Sequence, residues 1–427
     1  MVESGVVVKT EVSFAILKRR LFWFSVFNLF LLSIVGVILR LYPLIDSAFF
    51  DYKNVLHAHS HFAFGGWVMP ILLALVLKYF PEITGRISYR HLRNISVSIL
   101  GSAYGMLLSF PFRGYAPVSI VFSTLSVFAS VYMAIELWKA TRQLNATSVL
   151  FLKAGLVFLV LSALGPFATA PLIAMGKAGT PLYYNVIYFY LHFQYNGWFT
   201  FATLAVLYKM IEKIGPAVNG RLVYRLLAVG CIPSYFLSTL WSRPHGVFYF
   251  ISMGAALMQL MAVVFLLKDL KQLQWRRNFV ELLFRAAILC FIVKNVLQAI
   301  SAIPVIADLA WSHRNYTIAY LHMVLVGFIS LGALSLMLKS TDNNVEPPVK
   351  TGLILFVFTF ILTETFLVLN AAGINIQIGD LSFQHLMFVI SLLFPLAILL
   401  ILTRMASYTS NSTEPVRQRD RQRRMLP

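Results

Sequence analysis

Seven imidazoles stand in or beside long apolar runs of this chain: His57, His59 and His61, then His192, His245, His322 and His385. Imidazole is a common ligand of haem iron and of copper. In lipid it is costly unless it faces a bundle interior or a cavity. So many histidines in such runs point to haem or metal binding. The plainer reading is a set of interhelical hydrogen bonds. Carboxylates, the usual ligands of hard cations, are scarce in the same runs; Glu136, Glu281 and Glu364 are the main ones. His57, His59 and His61 are spaced by two. On a helix His57 and His61 share a face and His59 points elsewhere, so the three cannot serve one metal without distortion. Gly65 and Gly66 follow and leave bare backbone against which a flat ring or another helix could lie. Lys294, also within an apolar run, is a candidate proton or anion relay, with snorkelling or ion pairing as the alternative. Cys231 and Cys290 read as small hydrophobes. No C-x-x-C-H haem-attachment motif occurs.

The elements that must position these groups follow from composition. The chain has 427 residues, 59% of them hydrophobic and 12% charged. That charged share is roughly half of what a soluble domain carries, too little to cover a soluble surface. The apolar runs are about twenty residues long, the length that crosses a hydrocarbon core of about 30 Å. Each is expected to be a helix, because backbone groups in lipid must bond within their own segment. The fold class is therefore all-α, a polytopic membrane protein of about twelve transmembrane helices. The spans are 21–42, 54–79, 94–112, 116–138, 150–175, 184–209, 222–242, 246–268, 280–306, 315–338, 351–373 and 381–404. Residues 1–404 form one transmembrane domain, with an uncleaved first helix. Residues 405–427 form a basic, disordered tail resting on anionic lipid. No soluble domain and no clear internal repeat stand out.

The formal net charge is +19, yet there is no soluble basic face, so nucleic acid is excluded as a partner. Twenty-seven of the basic residues fall on one side of the alternating spans and six on the other. By the positive-inside rule the rich side is cytoplasmic. The expectation is a bacterial inner-membrane protein with both termini in the cytoplasm. Each even-numbered span then starts at the outer face, which puts all seven histidines in the outer half of the membrane.

At these residues the chain resembles subunit I of the haem–copper oxidases, most nearly the cbb3-type oxidases, the nitric oxide reductases and the NnrS-like branch. Four segments carry the resemblance: LHAHSHFAFGG, YLHFQYNGWF, WSRPHGVFYF and NYTIAYLHMVLVGFISLGALSLML. It implies a twelve-helix subunit-I-like bundle. It implies a low-spin haem b held by His57 or His59 from the second span and by His322 from the tenth. A second haem and a copper are implied beside it. His192 matches one copper ligand and His245 another. Gly246 stands where a further copper ligand is expected, and Tyr320 stands where the proximal histidine of the high-spin haem is expected. The reaction half of the site therefore departs from the family pattern. His61 or His385 could substitute there as ligands.

What this implies is a membrane haem oxidoreductase subunit acting on oxygen or nitric oxide. A quinol or a partner bearing c-type haem would supply electrons. One alternative is a haem-binding accessory or nitric-oxide-response protein without turnover. Another is a transporter, for which half-helix pairs in an inverted repeat are the expected cue. Arg243 and Arg314 are candidates for haem propionates, or else interfacial anchors. Tyr195, Tyr249 and Tyr320 are candidates to hydrogen-bond a bound gas.

Overall fold

The computed structural model describes residues 2–45, 51–273, 278–339, 345–374 and 376–404. The basic tail expected at 405–427 lies outside the described residues. The chain is all-α; among the described residues the only strand-like pairing is an isolated bridge between Ile378 and Leu381.

The helical runs are α1 (Val2–Leu41), α2 (Tyr52–Tyr79), α3 (Tyr89–Arg113), α4 (Pro117–Thr141) and α5 (Thr147–Ala174). Then come α6 (181–212), α7 (Gly220–Ser242), α8 (Val247–Leu270) and α9 (Phe279–Ile300). The last are α10 (Pro304–Ser312), α11 (Arg314–Leu338), α12 (Pro347–Ala371) and α13 (Phe383–Leu402). Ten of these are long and apolar enough to cross a membrane, or eleven if α9 and α10 count as one bent span. The protein is thus a polytopic, multi-pass membrane protein.

One of the twelve expected spans is corrected, and a second is a helix that is less apolar than the rest. The span expected at 280–306 ends at Ile300, and α10 leaves it at 110°. Pro304 is the physical reason. It holds Ile303 in extended backbone (φ −76°, ψ 125°) and opens a new helix at its first turn. The span expected at 184–209 is a continuous helical run, α6, but it is not among the ten. His192, Gln194 and Asn196 and a row of tyrosines interrupt its apolar character.

The chain divides into two compact units. One comprises residues 1–129, 337–363 and 377–427; the other comprises 130–336 and 364–376. In the first, α1 packs on α2 and α13, and α2 packs on α3. From Phe62 to Leu77 every residue of α2 is buried, so this helix is apolar on all sides because it has no outer face. In the second unit, α5 packs on α6, α7 on α8, and α9 on α8 and α11. From His192 to Tyr208 every residue of α6 is buried. Outward-facing apolar residues such as Phe128 in α4 and Phe250 in α8 match a lipid-facing surface, where apolar side chains need no partner.

Candidate functional site

Three of the histidine-bearing helices, α2, α6 and α11, share a backbone device. In α2 a π-helical segment, Ala63–Val68, begins two residues after His61. In α6 the π segment Phe193–Phe199 begins directly after His192. In α11 the π segment Met323–Ser330 begins directly after His322. π segments are rare, and they recur at functional sites.

Beneath this lies a sequence pattern. HFAFGGW, HFQYNGWF and HMVLVGF each place a glycine five residues after a histidine, followed by Trp or Phe. The three histidines are roughly 130 residues apart. The pattern thus recurs at a near-constant spacing along the chain. The histidine and the glycine–aromatic pair were the available signal.

A π turn widens the backbone and displaces carbonyls from their α-helical donors, so side chains must take them up. Thr200 Oγ1 donates to the Tyr195 carbonyl at 2.7 Å, and Ser330 Oγ donates to the Leu325 carbonyl at 2.7 Å. Each acceptor is three residues after the histidine, and each donor eight. In α2, Pro70 has no N–H to give the Gly66 carbonyl. Asn28 of α1 supplies it instead, with Nδ2 2.6 Å from that oxygen, while its own Oδ1 accepts from the Tyr104 hydroxyl. The glycines admit close neighbours. A Cβ on Gly197 would stand 2.5 Å from Cβ of Phe158, and one on Gly66 would stand 2.6 Å from the Phe62 ring.

The candidate residues fall into both units. His57, His59, His61 and His385 belong to the first; His192, His245, Arg243, Arg314, Tyr320 and His322 belong to the second. In the first unit His57 and His61 do share a face, with ring centres 6.5 Å apart. The His61 ring stacks on Phe110 at 4.8 Å, and His61 Nε2 lies 3.0 Å from the Tyr115 hydroxyl. The His57 ring meets the edge of Tyr115. His59 points away, its Cε1 against Gly36 of α1. His385 is exposed, with Nδ1 2.9 Å from the Ser382 hydroxyl.

In the second unit three environments differ. His192 is wholly buried. Its Nε2 lies 2.8 Å from the Cys231 carbonyl and its Nδ1 3.1 Å from Asn196 Nδ2, so both ring nitrogens are engaged. His245 is exposed, and its Nδ1 accepts from the Val247 N–H at 3.4 Å. His322 places Nδ1 3.1 Å from Glu364 Oε1 of α12, with its side chain 32% exposed. The His322 ring has no other hydrogen bond among the described residues.

Tyr320 joins the His192 group. Its hydroxyl lies 3.5 Å from Gln298 Oε1, and its ring sits 6.3 Å from that of Tyr195, which in turn meets the His192 ring at 6.5 Å. Tyr249 donates to the Leu240 carbonyl at 3.3 Å instead. Arg243, in left-handed backbone (φ 50°), pairs with Asp308 at 3.1 Å. Both side chains are well exposed, so the pair adds little stability in water. Glu364, Asn196, Gln298 and Asn28 are the partners that the sequence reading did not assign. Glu364, Gln298 and Asn28 lie 42, 22 and 38 residues from the groups they meet, whereas Asn196 lies one turn from His192.

The geometry can be tested for fit to the groups implied above. A histidine that ligates metal commonly gives its other ring N–H to a carboxylate, which fixes tautomer and orientation. His322 with Glu364 has that arrangement. A proton on Nδ1 leaves the Nε2 lone pair available, so His322 fits a haem axial ligand. His192 does not fit a copper ligand as it stands, because a metal would have to displace Cys231 or Asn196. Among the described residues no group of three or more His, Cys, Asp or Glu converges to hold a metal ion. No protein-family model matches the chain, and no curated protein matches its sequence.

Proposed function

We propose that this chain is a haem b-binding protein of the bacterial inner membrane, related in fold and role to subunit I of the haem–copper oxidases, with its termini in the cytoplasm. The observation that carries the reading is His322, an imidazole oriented by a carboxylate within a transmembrane helix and open at its second nitrogen. When bound, the haem supplies one-electron transfer and an iron that meets oxygen or nitric oxide. The protein's part is to hold His322 in one tautomer through Glu364 and to fix its ring at the α-to-π junction of α11. The second axial ligand, His57 or His59, is assigned by the family resemblance alone.

The engaged state of His192 favours the non-catalytic form of this reading. A haem-binding accessory or nitric-oxide-response protein needs only the His322 side. An oxidase or reductase would need His192, His245 and Tyr320 to assemble around a second haem or a copper. Electrons would come from a quinol or from a c-type haem subunit.

The test is a reduced-minus-oxidised optical spectrum of the purified full-length protein, with and without carbon monoxide, beside metal analysis. A low-spin haem b without a carbon-monoxide shift is the expected result. A carbon-monoxide-reactive second haem with copper would move the reading to an oxygen or nitric oxide reductase. Absence of haem from protein purified after growth with haem supplied would overturn it.

A further inference from the structure

Lys294 sits within α9, 2% exposed. None of its N–H groups has a hydrogen-bond or ion-pair partner among the described residues. Its nearest ring is Phe291, one turn earlier on the same helix, with the ammonium 5.7 Å from the centroid. An isolated ammonium in an apolar interior is among the costliest groups a protein can bury, unless something neutralises it.

The side chains around it are polar and incompletely satisfied. Gln298 lies one turn along α9 from Lys294, on the same face, and its Nε2 is buried without a partner. Its Oε1 meets the Tyr320 hydroxyl, the Tyr320 ring packs on Tyr195, Tyr195 meets His192, and His192 is bonded to Asn196. These side chains form a chain of contacts that links α9, α11 and α6 within one unit. Asn295 Oδ1 and Asn196 Oδ1 are further buried atoms without partners. Native interiors leave few such atoms, and each one calls for an explanation. Of these three atoms Gln298 Nε2 is the donor, and it belongs to the residue one turn from the unpaired ammonium.

We infer that Lys294 and Gln298, the latter held by Tyr320, form a binding site for one small monovalent anion inside the second unit. The ammonium supplies the charge and the Gln298 amide supplies a directed N–H. One ammonium supplies one charge, so the site suits a singly charged, compact ion: nitrate, nitrite, formate or a halide. A dianion would leave one charge without compensation. The inference rests on the geometry of this unit and not on the haem reading.

The test uses purified full-length protein in detergent with gluconate as the only bulk anion. Sodium nitrate, nitrite, formate and chloride are titrated in turn by calorimetry, and thermal melting is followed in parallel. The wild type is expected to bind about one ion per chain saturably and to melt higher as the ion is added. Which ion binds most tightly separates an oxyanion site from a halide site. Lys294→Met, close in length and without charge, is expected to abolish both responses while melting no lower than wild type in gluconate. Gln298→Leu is expected to weaken binding roughly tenfold, the weight of one hydrogen bond to a charged group. Gln298→Leu also keeps the test decisive should Lys294→Met fail to fold. No saturable response to any of the four ions in the wild type would overturn the inference. Unchanged binding in Lys294→Met, or in Gln298→Leu where Lys294→Met does not fold, would do so as well. Because haem content is read optically on the same samples, loss of anion binding with haem retained and the reverse are distinct results.

Discussion

His192 and His322 occupy the same place in the same device. Each ends an α segment, each is followed at once by a π segment, and each has a hydroxyl eight residues on that takes up the carbonyl three residues on. Their side chains nevertheless meet opposite conditions. His192 is sealed in and bonded through both ring nitrogens to neutral partners, a backbone carbonyl and an amide. His322 is partly open and bonded through one nitrogen to a carboxylate. The comparison teaches that the π junction aims a histidine into the helix packing but does not decide its chemistry. The neighbouring helices decide it: α7 supplies a carbonyl to one histidine, α12 a carboxylate to the other.

The comparison can be sharpened by substitution. The largest effect is expected at the carboxylate. Glu364→Gln keeps a hydrogen bond but loses the charge that fixes the tautomer and raises ligand basicity. Haem affinity should fall roughly 10- to 100-fold, the usual weight of such a partner, and the haem midpoint potential should shift; haem titration and potentiometry measure both. Gly197→Ala comes next. Its Cβ would meet Phe158 at 2.5 Å, and overpacking of this kind costs about 1–3 kcal/mol. Thermal melting should show that loss while the haem spectrum stays unchanged. Asn28→Ala would strip a donor from the Gly66 carbonyl and an acceptor from Tyr104, and should cost about 1–3 kcal/mol in chemical or thermal denaturation. The smallest effect is expected from Thr200→Val and Ser330→Ala. Each removes one bond to a π-segment carbonyl, for about 1 kcal/mol. Equal effects at both positions would support one shared device; an effect confined to one would break the equivalence.

The membrane fold was legible because the bilayer leaves the sequence little choice. Long apolar runs must be helices, and their ends fell close to the turns marked by Pro, Gly and charge. The bent α9–α10 pair was also written in the sequence, at Pro304, but an apolar run that continues past it reads as one span. α6 was harder for the opposite reason. Its polar residues lower its hydropathy, and they are buried because they bond one another and their neighbours rather than lipid. Of the site, the histidine types and the separation of His57 and His61 from His59 could be read from helical periodicity. The state of each ring could not. His192 depends on Cys231, 39 residues away, and His322 depends on Glu364, 42 residues away. Such pairings come from packing between helices and carry no local signal. Lys294 lay between these cases. Its position in an apolar run was plain, and its lack of an ion-pair partner among the described residues came only from the packed structure.

The most direct test of the account is the reduced-minus-oxidised spectrum of three full-length proteins side by side: wild type, His322→Ala and His192→Ala. The account predicts a low-spin haem b signal in the wild type, its loss in His322→Ala, and its retention in His192→Ala. A signal that survives His322→Ala, or that disappears with His192→Ala in protein that remains folded, would contradict it.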